Sequence, residues 1–207
     1  DNTAPYICFE GYQKLFPKVI RIHYQNENIG VGANFASCVK QASGKYIAIC
    51  AADDYWHNHQ KLKLQVNFLE SNPDYGLLYT DYNKLNDNTN KITENYLKRS
   101  KKPTNVGGDL FRKFLYGEIP ILTLTVMFRK ELFDTYIPAE DYIKLRFPLE
   151  DWPTWLILSK YTKIGYLPVS TATYRYGHES ITNPHVYEKF ENRLNSIGAD
   201  IRRVSDE

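Results

Sequence analysis

Tyr46-Ile47-Ala48-Ile49-Cys50-Ala51-Ala52 runs directly into Asp53-Asp54-Tyr55-Trp56. The first seven residues carry no charge, so the run predicts a strand apolar on both faces. Such a strand belongs inside a covered, mostly parallel sheet. Two adjacent carboxylates then follow at the strand's C-terminal end, the edge where open α/β sheets take their ligands. Hard oxygen donors at that place suit Mg²⁺ or Mn²⁺ bridging a nucleotide diphosphate. The same dipeptide also fits a helix N-cap with a solvated neighbour, because Asp accepts the free N–H groups of a first turn. On these two residues alone, both readings stand.

Outward from this stretch, strands and helices alternate. Residues 19–24 are rich in β-branched side chains and predict a strand, preceded by a helix over 5–16 that Pro17 ends. A turn with two glycines, Gly30 and Gly32, spans 26–32, and Asn34 is placed to cap the next helix. That helix shows Phe35, Cys38, Val39 and Ala42 at helical spacing, with Gly44 closing it. Downstream, a helix begins near Gln60 with Leu62, Val66 and Leu69 on one face and stops at Asn72-Pro73; residues 76–82 predict another strand. The alternation argues an α/β layered fold with open-sheet topology. The polar stretch 84–106 has no periodicity and is too long for an ordinary connection, so it reads as a functional loop. A helix bearing Leu110, Phe111, Phe114 and Leu115, a strand over 121–128 and a short helix over 130–135 follow. Glu150-Asp151 opens a helix carrying Trp152, Trp155, Leu156 and Leu158. Pro153 falls in its first turn, where a missing N–H is harmless. Residues 164–176 read as extended and 186–204 as a charged C-terminal helix.

Composition narrows the classes. The chain has 207 residues, 43% of them hydrophobic, which suffices for one domain with a real core and excludes wholesale disorder. A net charge of +2 gives no electrostatic footprint for nucleic acid. The longest apolar-rich run, 119–128, is interrupted by Pro120, Thr123 and Thr125 and falls short of the roughly 20 residues of a membrane helix. Three cysteines (Cys8, Cys38, Cys50) lack metal-type spacing and point to a reducing, cytoplasmic setting.

Three local features carry candidate chemistry. Beside Asp53-Asp54 stands Glu150-Asp151: either first-turn acids complementing the helix dipole, or a general base in a cleft rimmed by Trp152 and Trp155. Glycines before a helix, as in Asn28-Ile29-Gly30-Val31-Gly32-Ala33-Asn34, can bring N–H groups to phosphate. A plain helix-entry turn fits that stretch equally well, since it is neither GxGxxG nor a P-loop. The five histidines form no zinc-like pair. Lys98-Arg99-Ser100-Lys101-Lys102 reads as a solvated loop or as a contact for an anionic acceptor or lipid surface.

Taken in order, these pieces resemble one family. Asn28-x-Gly30 comes first, followed by Ala42-x-Gly44-Lys45-Tyr46-Ile47-Ala48, Asp53-Asp54-Tyr55-Trp56 and Lys61-Leu62-x-x-Gln65-Val66-x-Phe68-Leu69. Val126-Met127-Phe128-Arg129-Lys130-Glu131-Leu132, Pro148-Leu149-Glu150-Asp151-Trp152-x-x-Trp155-Leu156, and Tyr174-Arg175 with Ser180-Ile181-Thr182 complete the series. The ordered set, over about residues 26 to 182, resembles a bacterial family 2 glycosyltransferase with the GT-A fold. That resemblance implies a mixed, mainly parallel α/β sheet flanked by helices, with a GT-A domain over 1–183 and a C-terminal helix over 184–207. It implies an inverting transfer from a nucleotide-sugar donor to a hydroxyl of a glycan or glycolipid acceptor, in surface-polysaccharide or glycolipid synthesis. Asp53 would hold Mg²⁺ or Mn²⁺ as the last acid of a DxD-type motif. Asp54 would support that loop or touch the donor sugar, with Asn28, Gly30 and Asn34 on the donor side. Asp151 would be the base, with Glu150 beside it. A cytoplasmic location, peripheral contact with the inner membrane face and homo-oligomerisation are compatible with it.

Two departures from the family pattern bear on activity. Ala51 stands where the first acid of the DxD motif belongs. Asp1-Asn2-Thr3 also resembles the run just after the family's second strand, so the domain reads as N-terminally incomplete, lacking two strands that would lie between 19–24 and 46–52. Backbone groups left unpaired there would make this chain alone destabilised, self-associating or rearranged. A monomeric, monodisperse sample of ordinary thermal stability in light scattering would overturn that expectation. These departures keep a second class open: a non-catalytic carbohydrate- or partner-binding module on the same fold. A nucleotidyltransferase is a third reading, which leaves Glu150-Asp151 without a role.

Overall fold

The computed structural model describes residues 6–100, 106–144 and 149–177. The expected C-terminal helix, His178 and the Ser180-Ile181-Thr182 segment lie outside them. In chain order the elements are α1 (Tyr6–Leu15), α2 (Val31–Gln41), β1 (Tyr46–Ala48), β2 (Tyr55–Trp56), α3 (Lys61–Ser71), β3 (Tyr75–Asn86), β4 (Lys91–Thr93) and α4 (Tyr96–Arg99). Next come α5 (Phe111–Leu115), a 3₁₀ turn at Thr123–Thr125, β5 (Met127–Arg129), α6 (Lys130–Tyr136), α7 (Ala139–Lys144), α8 (Asp151–Tyr161) and β6 (Lys163–Tyr176).

One mixed sheet, ordered β1-β5-β3-β6-β2 with β4 added to β3, is flanked by the helices. The α/β class therefore stands. The sheet is mixed: its longest ladder, β3–β6, is parallel, while the short pairings β1–β5, β3–β5, β2–β6 and β3–β4 are antiparallel. The apolar run 46–52, expected inside the sheet, contributes only three residues, at the end of the strand order. From Cys50 to Ala52 its small side chains are exposed in a loop, so they are apolar without being core. Residues 19–24 form no strand. No described strand lies alongside to offer a ladder, and strand propensity without a partner gives no sheet; Val19 and Tyr24 are exposed.

The sheet's centre is covered on both faces. Leu77 and Tyr79 of β3, Phe128 of β5 and Ile164 of β6 meet Phe35, Phe114, Phe133 and Trp155 from the helices. Leu78 and Met127 meet Leu69 and partly buried Phe68 on the other face. Arg129 spans this packing, donating to the carbonyls of Tyr75 (3.1 Å) and Leu69 (2.6 Å) and to Tyr46 Oη (3.2 Å). It pins β1, α3 and β3 together, a structural task inside the 126–132 piece of the family pattern.

Residues 84–106 are not a bare loop. β3 continues to Asn86, turns into β4 and leads to α4. Buried Asp81 accepts the backbone N–H groups of Leu97 (2.8 Å) and Lys98 (3.1 Å), the carboxylate serving the start of a one-turn helix. On α3, Lys61 and Gln65 join Leu69 on the fully buried face; of the expected apolar positions Val66 is partly buried against the Leu78 and Met127 cluster, and Leu62 is exposed. Two polar residues can occupy that stripe because carbonyls of β3 and the 3₁₀ turn receive their hydrogens. The short helix α7, unannounced by periodicity, brings buried Tyr142 against the start of α8. No described helix is long and apolar enough to cross a membrane.

Candidate active site

The acidic pair after β1 lies in a turn, not at a helix start. Asp54 N donates to Ala51 O (3.1 Å), and the chain then enters β2, whose Tyr55 and Trp56 register with Thr173 and Ala172 of β6. Backbone N of Arg175 donates to Asp54 Oδ1 (3.0 Å), tying the turn to β6. The N-cap alternative for this dipeptide therefore falls, since α3 begins only at Lys61. Asp53 is exposed, while Asp54 is half-buried. Arg175 also donates from Nε to Asp87 Oδ1 (3.1 Å), and the negative field of Asp87, Asp53 and Asp54 favours its charged form further.

Asn28, Gly30 and Asn34 line one concavity of about 240 Å³, together with Gln25, Glu27 and Val31. Asn28 Oδ1 accepts Gly30 N (2.9 Å) in an Asx turn. Gly30, at φ 83°, is the N-cap of α2, a backbone conformation that favours glycine. Asn34 is not the cap; it sits inside α2, where its Oδ1 faces Gln25 Nε2 (3.5 Å). The earlier helix start follows from Gly30, which turns the chain into the helix four residues sooner than a side-chain cap would.

The second acidic pair stands where the sequence put it. Glu150 is the N-cap of α8 and Asp151 its first residue, with Pro153 in the first turn. Asp151 Oδ1 accepts Trp152 N (2.6 Å), and Thr123 of the 3₁₀ turn hydrogen-bonds the same carboxylate. Tyr142 Oη meets Thr154 Oγ1 (2.8 Å), which in turn donates to Glu150 O, so α7 fixes the helix entry. Trp155 does not rim the cleft: it is buried and donates Nε1 to Ile121 O (3.3 Å).

One feature joins the two pairs. Trp56, two residues past Asp54, donates its indole Nε1 to Leu124 O (3.1 Å), while Asp151 is bonded to Thr123. The strand that follows the first acidic pair and the Asp151 carboxylate thus meet the same three-residue turn, Thr123–Thr125. No sequence pattern announces this turn, since Thr-Leu-Thr reads equally well as strand.

Burial pushes the Glu150 carboxyl up to about 7, with the charge of Asp151 adding to it; burial also raises Asp151. The two interacting carboxyls release protons as a pair. The folded state holds the Glu150 proton above the unfolded value of 4.5, so its contribution to stability is full below that value and lost as pH rises through about 7. Glu150→Gln is expected to remove this dependence, giving a flatter stability profile between pH 4.5 and 7 in urea unfolding and a higher stability than the parent above pH 7. An unchanged profile would mean that Glu150 titrates as an ordinary surface acid.

The donor set for a metal is narrow. Among the described residues no three His, Cys, Asp or Glu side chains gather as a ligand group. One exposed carboxylate, Asp53, presents hard oxygens from a turn. That fits an Mg²⁺-type ion shared with a bound diphosphate and water, not a cage of protein ligands.

A family model described as Glycosyl transferase family 2 matches residues 6–137. The uncharacterized protein Rv1520 of Mycobacterium tuberculosis is 28% identical over 174 residues, which cover 84% of this chain and 46% of that protein. An uncharacterized glycosyltransferase of Rickettsia bellii is 28% identical over 169 residues, 81% of this chain and 22% of its own. The chain spans about half the length, or less, of the curated relatives it matches. Among solved structures, the crystal structure of Staphylococcus aureus TarS 1-349 in complex with UDP-GlcNAc superposes with a TM-score of 0.56 at 17% identity, covering 87% of this chain and 49% of that one. The same protein in complex with UDP gives 0.55 at 16% identity, covering 84% and 48%.

Proposed function

The chain belongs to glycosyl transferase family 2, and on that premise we propose that it moves a sugar from a nucleotide-sugar donor to an acceptor hydroxyl with inversion at the anomeric carbon. The observation that carries this reading is the short turn shared by the segment after the first acidic pair and by Asp151 of the second. Trp56, which follows the donor-side acids, and Asp151 both bond the turn Thr123–Thr125, so the strand after one acidic pair and a carboxylate of the other meet one short element. Displacement at an anomeric carbon needs that division of labour: charge stabilised on the leaving diphosphate, and a proton removed from the attacking oxygen on the opposite face.

In this proposal Asp151 accepts the proton of the acceptor hydroxyl as its oxygen bonds to the anomeric carbon. The bond from that carbon to the diphosphate oxygen breaks, and the nucleoside diphosphate leaves. Glu150, raised toward neutrality beside it, keeps the pair in reach of a proton at physiological pH. Asn28, Gly30 and Asn34 are assigned to the donor, and Asp54 holds its turn through Arg175. Asp53 would hold Mg²⁺ or Mn²⁺, which when bound supplies positive charge to the diphosphate. The acceptor is proposed to be a glycan or glycolipid met at the inner face of the membrane, on the cytoplasmic side.

The test is nucleotide-sugar turnover by the intact protein with Mg²⁺ or Mn²⁺, read as release of nucleoside diphosphate. UDP-GlcNAc is the first donor to try, because the similar TarS structure holds it. Turnover supports the proposal. Glycan binding without turnover of any nucleotide sugar would replace it with a binding module, the reading that Ala51 in place of an acid favours.

A further inference from the structure

Lys61 is 1% exposed, yet no described carboxylate pairs with it. Its ammonium donates to Gln65 Oε1 (2.6 Å) and to Thr125 O (3.2 Å), and lies 5.2 Å from the centre of the Trp56 ring. Gln65 sends its own amide hydrogens to Thr125 O (2.9 Å) and Leu78 O (3.3 Å). Thr125 closes the turn that bears Thr123 and Leu124, the partners of Asp151 and Trp56. One amino group therefore touches both the element after the donor-side acids and the turn that holds the acceptor-side acid.

A buried lysine without an ion-pair partner costs stability, and a hydrophobic side chain of like volume usually does better in its place. Burial here lowers the lysine to about 7, which measures how poorly the site suits the charge. Packing would be served equally by methionine. What methionine cannot supply is a donor to Thr125 O and a cation beside the Trp56 ring.

We propose that Lys61 is a positioning residue for the transfer reaction: with Gln65 it sets the register between the Asp53–Trp56 turn and the Thr123–Thr125 turn, and hence between donor and base. The inference rests on the glycosyltransfer reading. Register matters most when the oxygen, the anomeric carbon and the leaving oxygen must align, so it bears on turnover more than on donor affinity. A misplacement of about 1 Å costs on the order of 100-fold in rate.

The experiment compares Lys61→Met and Lys61→Gln with the parent in the intact protein, measuring thermal midpoint, donor affinity by calorimetry, and kcat and KM for transfer. Both variants are expected to melt cooperatively, Lys61→Met at or above the parent midpoint. Donor affinity should stay within about threefold while kcat falls by about 10–100-fold. Transfer within threefold of the parent would overturn the proposal. So would a midpoint that falls together with transfer, or loss of cooperative unfolding in both variants, because each marks a purely structural lysine. Asp151→Asn run alongside separates this failure from failure of the reaction itself: if that variant loses turnover while Lys61→Met keeps it, only the positioning role is lost.

Discussion

Asp151→Asn is expected to bind the nucleotide-sugar donor as the parent does and to transfer its sugar about 10²–10⁴-fold more slowly. The substitution keeps the shape of the side chain and an oxygen able to accept from Trp152 N, so α8 still starts correctly. What disappears is the basic oxygen. Helix-start Asp and Asn are close to equal in stabilising a first turn, and an unchanged thermal midpoint should accompany the loss of rate. Glu150 is a second carboxyl at the same place, held near neutrality by burial and by its neighbour. The double variant Glu150→Gln/Asp151→Asn removes it as a substitute base, and its rate should lie at or below that of the single variant. Near-parental transfer by both variants would remove this pair from the reaction and with it most of the case for an inverting displacement.

That prediction depends on residues whose placement was readable in advance, and it is instructive why others were not. The Glu150-Asp151 pair, with Pro153 behind it, carries a local signature of a helix entry, and α8 begins there. The end of α3 at Asn72-Pro73 and the extended run after Lys163 are local in the same sense. Sequence fails where the deciding contact is remote. The one-turn helix α4 depends on Asp81, 16 residues from Leu97 along the chain, so a polar segment looks like loop. Residues 19–24 have strand composition, but a strand exists only when another lies beside it. The burial of Lys61 and Gln65 is not legible from helical spacing, because nothing local reveals that carbonyls of β3 and the 3₁₀ turn await them. The link between the two acidic pairs is of this kind as well. Each pair is legible separately; the turn at Thr123–Thr125, which meets Trp56 and Asp151, is not.

Asp53→Ala, by contrast with the Asp151 variant, is expected to weaken donor binding and transfer together, each by more than tenfold, or about 1.4 kcal/mol of binding. Ala51 leaves this loop without the first acid of the motif, so in the proposed reaction it is Asp53 that would hold a cation on the diphosphate. Asp53 is exposed, and Asp54 is half-buried with Oδ1 accepting from Arg175 N. The two neighbours should therefore separate cleanly. Asp54→Asn keeps an acceptor oxygen for that N–H and is expected to hold donor affinity near the parental value. Asp53→Ala has no substitute oxygen, and the Mg²⁺ or Mn²⁺ concentration needed for half-maximal transfer should rise along with the donor KM. Calorimetric titration of donor at several cation concentrations measures both effects. Should Asp53→Ala bind donor as tightly as the parent at every cation concentration, the carboxylate has no part in holding a metal. The positive charge facing the diphosphate would then have to come from side chains such as Arg175, raised in pKa beside Asp87, with Asp53 and Asp54 adding to it.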